Sequence, residues 1–467
     1  MVLYLAKIIF VVCLIVVIFP SLSLVFAQTS QDKLVVNVNE GTYKPLPIAI
    51  PDFRSVGSEA KGYAVNISKV ISDDLQRSGL FSPIDKRAFL SIPNSVKERP
   101  NFVNWKPLNA QALVIGETKI LPNNALGIEF VLYDVFAEQV MIRYQLSISS
   151  SKAWRRLAHT AADQIYKRIT GESGYFDTRV VYISERGPTK KRKKRLSIMD
   201  QDGHNHKYLT DGNSLVLTPR FSPIRDEITY LAYFDEQKPP RVYLLNIENS
   251  DQVTLGTFPG MTFAPRFSPD GRKVIMSMAE RGNTDIYVMD LLTLNQKQLT
   301  THPAIDTSPS YSPDCSKIVF ESDRGGSQQL YVMSSTGKNQ RRISFKRGGR
   351  YGTPVWSPRG DLIAFTKFYK GSFHIGVMKS DGSGERLLTK GFIVEGPTWA
   401  PNGRVLMFYR QQRQNEKGEG SNPRLYSIDL TGHNEREIIT PEDASDPAWS
   451  RLTSDIDPEK IKKICSD

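Results

Sequence analysis

Cysteine is scarce in this chain: its 467 residues hold three, Cys13, Cys315 and Cys465. None shows the paired spacing of a zinc site or a redox motif, so neither a metal held by thiolates nor a disulfide framework is expected. One pairing, Cys315 with Cys465, stays open. Histidine is equally thin, with six residues dispersed along the chain. His204 and His206 stand close together, but DGHNH at 202–206 reads as a polar turn. His159 lies beside the apolar stripe of a helix, where a packed or capping role fits better than ligation. A Gly-x-Ser-x-Gly elbow is missing, which removes the hydrolase half of the peptidases that carry a propeller. The run STGK at 335–338 lacks the flanking residues of a phosphate loop and reads as a hairpin turn. Repeated Asp-Gly pairs suit turns better than calcium. These absences point away from an enzyme, and no catalytic residue, metal or cofactor is expected.

Long apolar runs are also missing beyond the start of the chain. Residues 1–27 have a basic Lys7, an apolar stretch at 8–19 and the small Ala27, the pattern of a secretory signal cleaved between Ala27 and Gln28. A retained anchor is the competing reading of the same segment. No later stretch reaches the roughly 18 apolar residues that span a bilayer. The formal net charge of +12 points to an acidic partner or an anionic surface. Its densest part, Lys190 to Arg195, lacks the interleaved aromatics of a nucleic-acid patch and is expected to be a solvated hairpin loop.

What is present is a repeat. Phe221, Phe267, Tyr311, Trp356, Trp399 and Trp449 each lead a Ser-Pro or near relative, 43 to 50 residues apart. Each anchor has a proline two residues before it, which breaks any helix and opens an extended segment. A second marker (LSIMD, VYLLN, IYVMD, LYVMS, IGVMK, LYSID) keeps step, ending 20 to 22 residues before the next anchor. Between them lie a Pro/Gly turn, a β-branched run and a polar turn, enough for four strands per unit. A period of this size filled with short strands predicts a six-bladed β-propeller.

The ring must also close. Nothing after Trp449 resembles the apolar run that follows the other anchors, whereas RVVYISERG at 179–187 aligns with KIVFESDRG at 317–325. One blade is therefore predicted to be composite, its inner strand from about 446–450 and its outer three from about 179–210. Ahead of the propeller, residues 28–172 read as an N-terminal α/β domain with two helices on a mixed sheet. Ile67, Val70, Ile71 and Leu75 mark the first helix, and Trp154, Leu157, Ala158, Ala161, Ile165 and Ile169 the second. The expected division is signal 1–27, α/β domain 28–172, linker 173–178, propeller 179–451 and C-terminal tail 452–467.

Three stretches carry a family resemblance. They are SDDLQRSGLF at 72–81, AHTAADQIY at 158–166 and ITGESGYFDTR at 169–179, followed by the six repeats. The combination resembles the TolB family, the periplasmic propellers of the Tol–Pal system of Gram-negative envelopes, across essentially the whole mature chain. The resemblance implies a non-enzymatic periplasmic adaptor. It would bridge a peptidoglycan-associated outer-membrane lipoprotein and the inner-membrane TolA complex, supporting envelope integrity and outer-membrane constriction at cell division. The protein would be a monomer, peripheral to the outer membrane through the lipoprotein, with no nucleic-acid partner. A propeller-gated periplasmic hydrolase and a glycan- or peptide-binding propeller are the alternatives.

Two surfaces are candidates for those partners. The loops entering the inner strands converge on one mouth of the channel. Met261, Thr262, Phe263, Asp306, Thr307, Arg350, Tyr351 and Glu395 there combine exposed bulky groups with charge, as a docking surface does. Packing between blades is the plainer reading of Phe263 and Phe392. The resemblance implies that the lipoprotein docks at this mouth. It also implies that the mature N-terminal tail contacts TolA, with Gln28, Asp32, Leu34 and Val36 as the candidate residues. An ordinary edge strand with a frayed start is the alternative for that tail.

Overall fold

A computed structural model of the protein describes residue 34 and residues 44–188, 191–233, 240–257, 262–345, 348–413 and 422–453. The signal segment and the tail residues Gln28, Asp32 and Val36 lie outside the described residues, and Leu34 is half-buried and in no strand. Among the described residues no helix is long and apolar enough to cross a membrane.

The N-terminal region folds as its periodicity dictates. Strands β1 (Leu46–Ala49), β2 (Arg54–Val56), β3 (Phe81–Pro83), β4 (Ala112–Leu121), β5 (Ala125–Asp134) and β6 (Gln139–Ile148) form one sheet. Its order is β3-β1-β4-β5-β6 with β2 on β4; the β1 pairings are parallel and the β4–β5–β6 meander antiparallel. Helices α1 (Lys61–Arg77) and α2 (Trp154–Thr170) pack on each other and on this sheet. Ile67, Val70, Ile71 and Leu75 of α1 are buried, as are Leu157, Ala158, Ala161, Ile165 and Ile169 of α2. Gly171 ends α2 in the left-handed conformation, φ 74°, which costs a glycine little.

Six four-stranded antiparallel sheets follow. Their first strands, Leu215–Phe221, Thr262–Phe267, Asp306–Tyr311, Arg350–Trp356, Ile393–Trp399 and Asp443–Trp449, touch one another in a closed ring and form the inner wall. The last sheet is composite: Asp443–Trp449 pairs with Arg179–Arg186, bringing Ala448 opposite Val181 and Trp449 opposite Val180. Lys193–Asp200 and Lys207–Tyr208 complete it. The core lies in the gaps between sheets. Trp356 packs with Val319 and Leu330 of the preceding blade, and Trp399 with Val355 and Ala364. Burying a large ring in such a gap is worth roughly 3–5 kcal/mol against truncation to alanine.

Each described inner strand is bulged where its proline sits, with a register shift in its pairing. Thr218, Ser308, Thr353 and Asp446 take positive φ there, between 46° and 55°. The bulge changes which residues share a face. Tyr351 and Trp356, five positions apart, therefore enter the same gap between blades.

Two expectations need correction, and one open point is decided. The basic run is a hairpin loop only in part: Lys191 and Arg192 lie between the paired strands, whereas Lys193 to Arg195 belong to the second strand, where Lys194 pairs with Glu185 at 3.2 Å. Arg192 pairs with Glu185 at 2.7 Å and with Asp443, and Arg195 lies over the Tyr208 ring at 4.6 Å. Acidic neighbours on the partner strands pair with Arg192 and Lys194 and draw this part of the run into the sheet. Tyr351, expected among the exposed groups, is buried. Cys315, for which pairing was left open, is disulfide-bonded, and both other cysteines lie outside the described residues.

Candidate partner-docking surface

The antiparallel order fixes two faces. Inner strands begin where second strands end: Asp306 sits opposite Ser322, Arg350 opposite Phe368 and Ile393 opposite Gln411. The segments entering the inner strands thus share a face, the rim face, with the turns joining second and third strands. The remaining turns lie at the other end, and the N-terminal domain binds there.

That domain face is held by charge. Asp74 of α1 is fully buried and accepts from His159 Nδ1 of α2 at 2.6 Å and from Gln201 at 3.1 Å, while Arg77 pairs with it. Asp202, in a turn of the composite blade, takes Arg155 and, at 3.4 Å, Arg77. Asn434 donates to the Arg77 carbonyl at 2.8 Å, Asn402 to Ser173 at 3.2 Å, and Arg359 pairs with Glu172 at 3.0 Å. Burial alone would push the His159 imidazole down, but Asp74, with Asp200 and Asp202, outweighs it and raises the group to about 10. His159 is thus a cationic bridge between domains. Asp74, His159 and Asp202 lie close enough together to suggest a metal site, but Arg77 and Arg155 already supply the positive charge that these carboxylates need.

The linker is pinned as firmly. The buried Asp163 carboxylate accepts from the backbone N–H of Phe176 and Asp177 at 2.8 and 3.0 Å. A Cβ on Gly174 would stand 2.0 Å from its Oδ1, so only glycine fits there. Trp449 Nε1 donates to Thr178 Oγ1 at 2.8 Å, tying the ring closure to the linker.

The rim face is built differently. Phe263, Ile305, Phe345 and Phe392 are exposed, Phe345 by 65% of its surface. Arg350 is exposed over the Phe368 ring at 5.0 Å. The Ile305 loop is held by its backbone N–H donating to Asp323 at 2.9 Å, so an apolar side chain is presented on an ordered segment. Apolar groups held outward among charges form a patch that a protein partner can cover.

The other sequence candidates are placed as follows. Met261 lies outside the described residues, and Thr262 opens an inner strand. Asp306 is fully buried and grips Arg324 through both oxygens at 2.9 and 2.7 Å. Tyr351 donates to Glu385 at 2.9 Å beneath Lys367, whose Nζ lies 4.5 Å from the ring. Both are internal pins that shape the rim from below. Thr307 and Glu395 are half-buried on inner strands. Burial raises the Glu395 carboxyl while Tyr409 donates to it at 2.8 Å; Glu321 beside Thr307 is pushed up to about 7, chiefly by burial. Ile305 and Phe345 were missed by sequence reasoning. Their signal is an isolated apolar residue in a polar loop, next to the first residue of an inner strand or a few positions before it.

Comparison with known proteins agrees with this architecture. Residues 34–141 match the family described as TolB amino-terminal domain, and residues 166–453 match TolB beta propeller domain. The chain is 58% identical over 435 residues to the Tol-Pal system protein TolB of Paramagnetospirillum magneticum, covering 93% of this chain and 96% of that one. It is 49% identical over 442 residues to the protein of the same name from Rickettsia conorii, covering 93% and 98%. The crystal structure of TolB from Acinetobacter baumannii superposes with a TM-score of 0.77 at 26% identity, covering 88% of this chain and 97% of that chain. The relatives' names carry no reaction.

Proposed function

The chain belongs to the TolB family of Tol-Pal system proteins, and from that premise we propose that it works as a non-enzymatic periplasmic adaptor. Its rim face docks the peptidoglycan-associated lipoprotein, and its mature N-terminal tail engages TolA. The assembly links the outer membrane and its peptidoglycan anchor to the inner-membrane complex, serving envelope integrity and constriction at division. The observation that carries the reading is the contrast in exposure: Phe263, Ile305, Phe345 and Phe392 stand out on the rim face, while Asp202 and Arg359 of the opposite face are taken up by the N-terminal domain. A partner that covers these rings removes apolar surface from water at roughly 25 cal/mol per Å².

Co-purification of the mature chain with the lipoprotein's periplasmic domain tests this directly. The adaptor reading expects a complex that a Phe263→Ala/Phe345→Ala double variant loses while still binding TolA. Retention of the lipoprotein by that variant would sink the rim assignment. Equal TolA binding by a chain lacking residues 28–33 would sink the tail assignment.

A further inference from the structure

The channel wall holds a pair of cations that the adaptor reading does not use. Arg220 and Arg266 take matching places in the first two repeats, each directly after its inner-strand proline and bulge. In two other repeats the same position holds Ser310 and Thr398. Their hydroxyls accept from the backbone N–H of Trp356 and Trp449, on the neighbouring inner strands, at 3.2 and 3.1 Å. This position therefore faces along the wall toward the next blade. Arg220 in that orientation approaches the strand that carries Arg266, and after burial its charge is what disfavours the charge on Arg266.

Neither arginine forms an ion pair among the described residues, and the Nε of each is buried without an acceptor. Arg220 Nη1 donates to its neighbour's carbonyl, that of Pro219, at 2.6 Å. Asp446 on the composite blade acts on Arg220 through space, and no carboxylate does so for Arg266. Arginine keeps its proton inside proteins, so two partly desolvated positive charges stand side by side without their full counter-charge. Arg77, Arg155, Arg192 and Arg324, by contrast, all meet carboxylates. An uncompensated buried charge is costly, and guanidinium forks bind carboxylates with two parallel hydrogen bonds.

We propose that Arg220 and Arg266 form an anion site in the channel wall that takes a carboxylate, from a free small polycarboxylate or from an acidic side chain of a peptide inserted into the channel. The site stands independently of the lipoprotein assignment, since it would bind its ligand whether or not the rim face docks that partner.

The test uses the mature full chain at constant ionic strength, with calorimetric titration and thermal melts. One arm adds citrate; the other adds a short glutamate-rich peptide with blocked ends. At least one probe should bind wild type and raise its Tm, and Arg266→Gln should weaken that binding about tenfold or more, as expected for a lost charge-assisted hydrogen bond. Arg266→Lys should retain part of the affinity. Binding of citrate alone would identify a free anion as the ligand, and tighter binding of the peptide an inserted acidic segment. Without probe, Arg266→Gln should melt at or above wild type, because a repelling charge has gone. Failure of both probes to bind wild type would overturn the proposal, as would unchanged binding in both Arg220→Gln and Arg266→Gln. A lower Tm of probe-free Arg266→Gln would also overturn it, by making the arginine structural.

Discussion

The two ends of the propeller use their connecting segments for opposite purposes. On the domain face, charged groups are buried and matched: the turn residue Asp202 meets Arg77 and Arg155 of the two helices, and between those helices Asp74 meets His159. On the rim face the segments leave Ile305, Phe345 and Phe392 in solvent, and charges are used below the surface to stiffen them, as Asp306 does with Arg324. An interface that is always closed can satisfy its charges within the chain. One that opens and closes leaves apolar surface for a partner to cover, and its stability cannot depend on that partner.

If that contrast holds, substitutions at the two ends should separate stability from binding. The largest effect should come from Asp202→Ala, which leaves Arg155 only the more distant Asp200, at 3.8 Å, and removes part of the counter-charge of Arg77. A loss of about 3–5 kcal/mol in urea unfolding is expected for breaking a buried pair from one side. Phe345→Ala should do the reverse: stability should stay within about 0.5 kcal/mol of wild type, and binding to the lipoprotein domain should weaken by about 2 kcal/mol if the ring is a hot spot. Equal effects of the two substitutions on stability would erase the distinction between the faces.

A finer test is pH. His159 is raised from 6.5 to about 10 in the folded chain, so its contribution is fully present below about pH 6.5 and is lost as pH rises through about 10. The stability gap between wild type and His159→Gln should therefore be widest near pH 6 and close toward pH 10, measured by denaturant melts across that range. A constant gap would mean that the imidazole bridges the domains without its charge. The smallest effect belongs to Arg350→Ala, whose exposed stacking on Phe368 should be worth about 0.5–1 kcal/mol.

Much of this architecture could be read from the sequence because its cause is local. Prolines two residues before each anchor and an apolar run at 179–187 without a partner were enough to put the strand of Trp449 beside that run; the structure adds the register, Trp449 opposite Val180. The helical stripes of α1 and α2 were legible for the same reason. Tyr351 was misread as a loop residue because the inner strand starts before it, at Arg350, and the bulge at Thr353, φ 46°, turns it into the same gap as Trp356. The strand part of the basic run was misread because the partners of Arg192 and Lys194, Glu185 and Asp443, come from other strands and one of them from the far end of the chain. Asp202 looked like a turn residue and is one; its role in binding the other domain depends on Arg77 and Arg155. Contacts of that range leave no periodic trace in the chain.

The central claim is that the rim face is the one a lipoprotein covers. Hydrogen–deuterium exchange of the mature chain, with and without the lipoprotein's periplasmic domain, tests it most directly. The account predicts new protection in peptides spanning 301–306, 343–350 and 391–395, with the turns at 200–206 and 429–436 unchanged. Protection confined to those two turns, or to the N-terminal sheet, would contradict it.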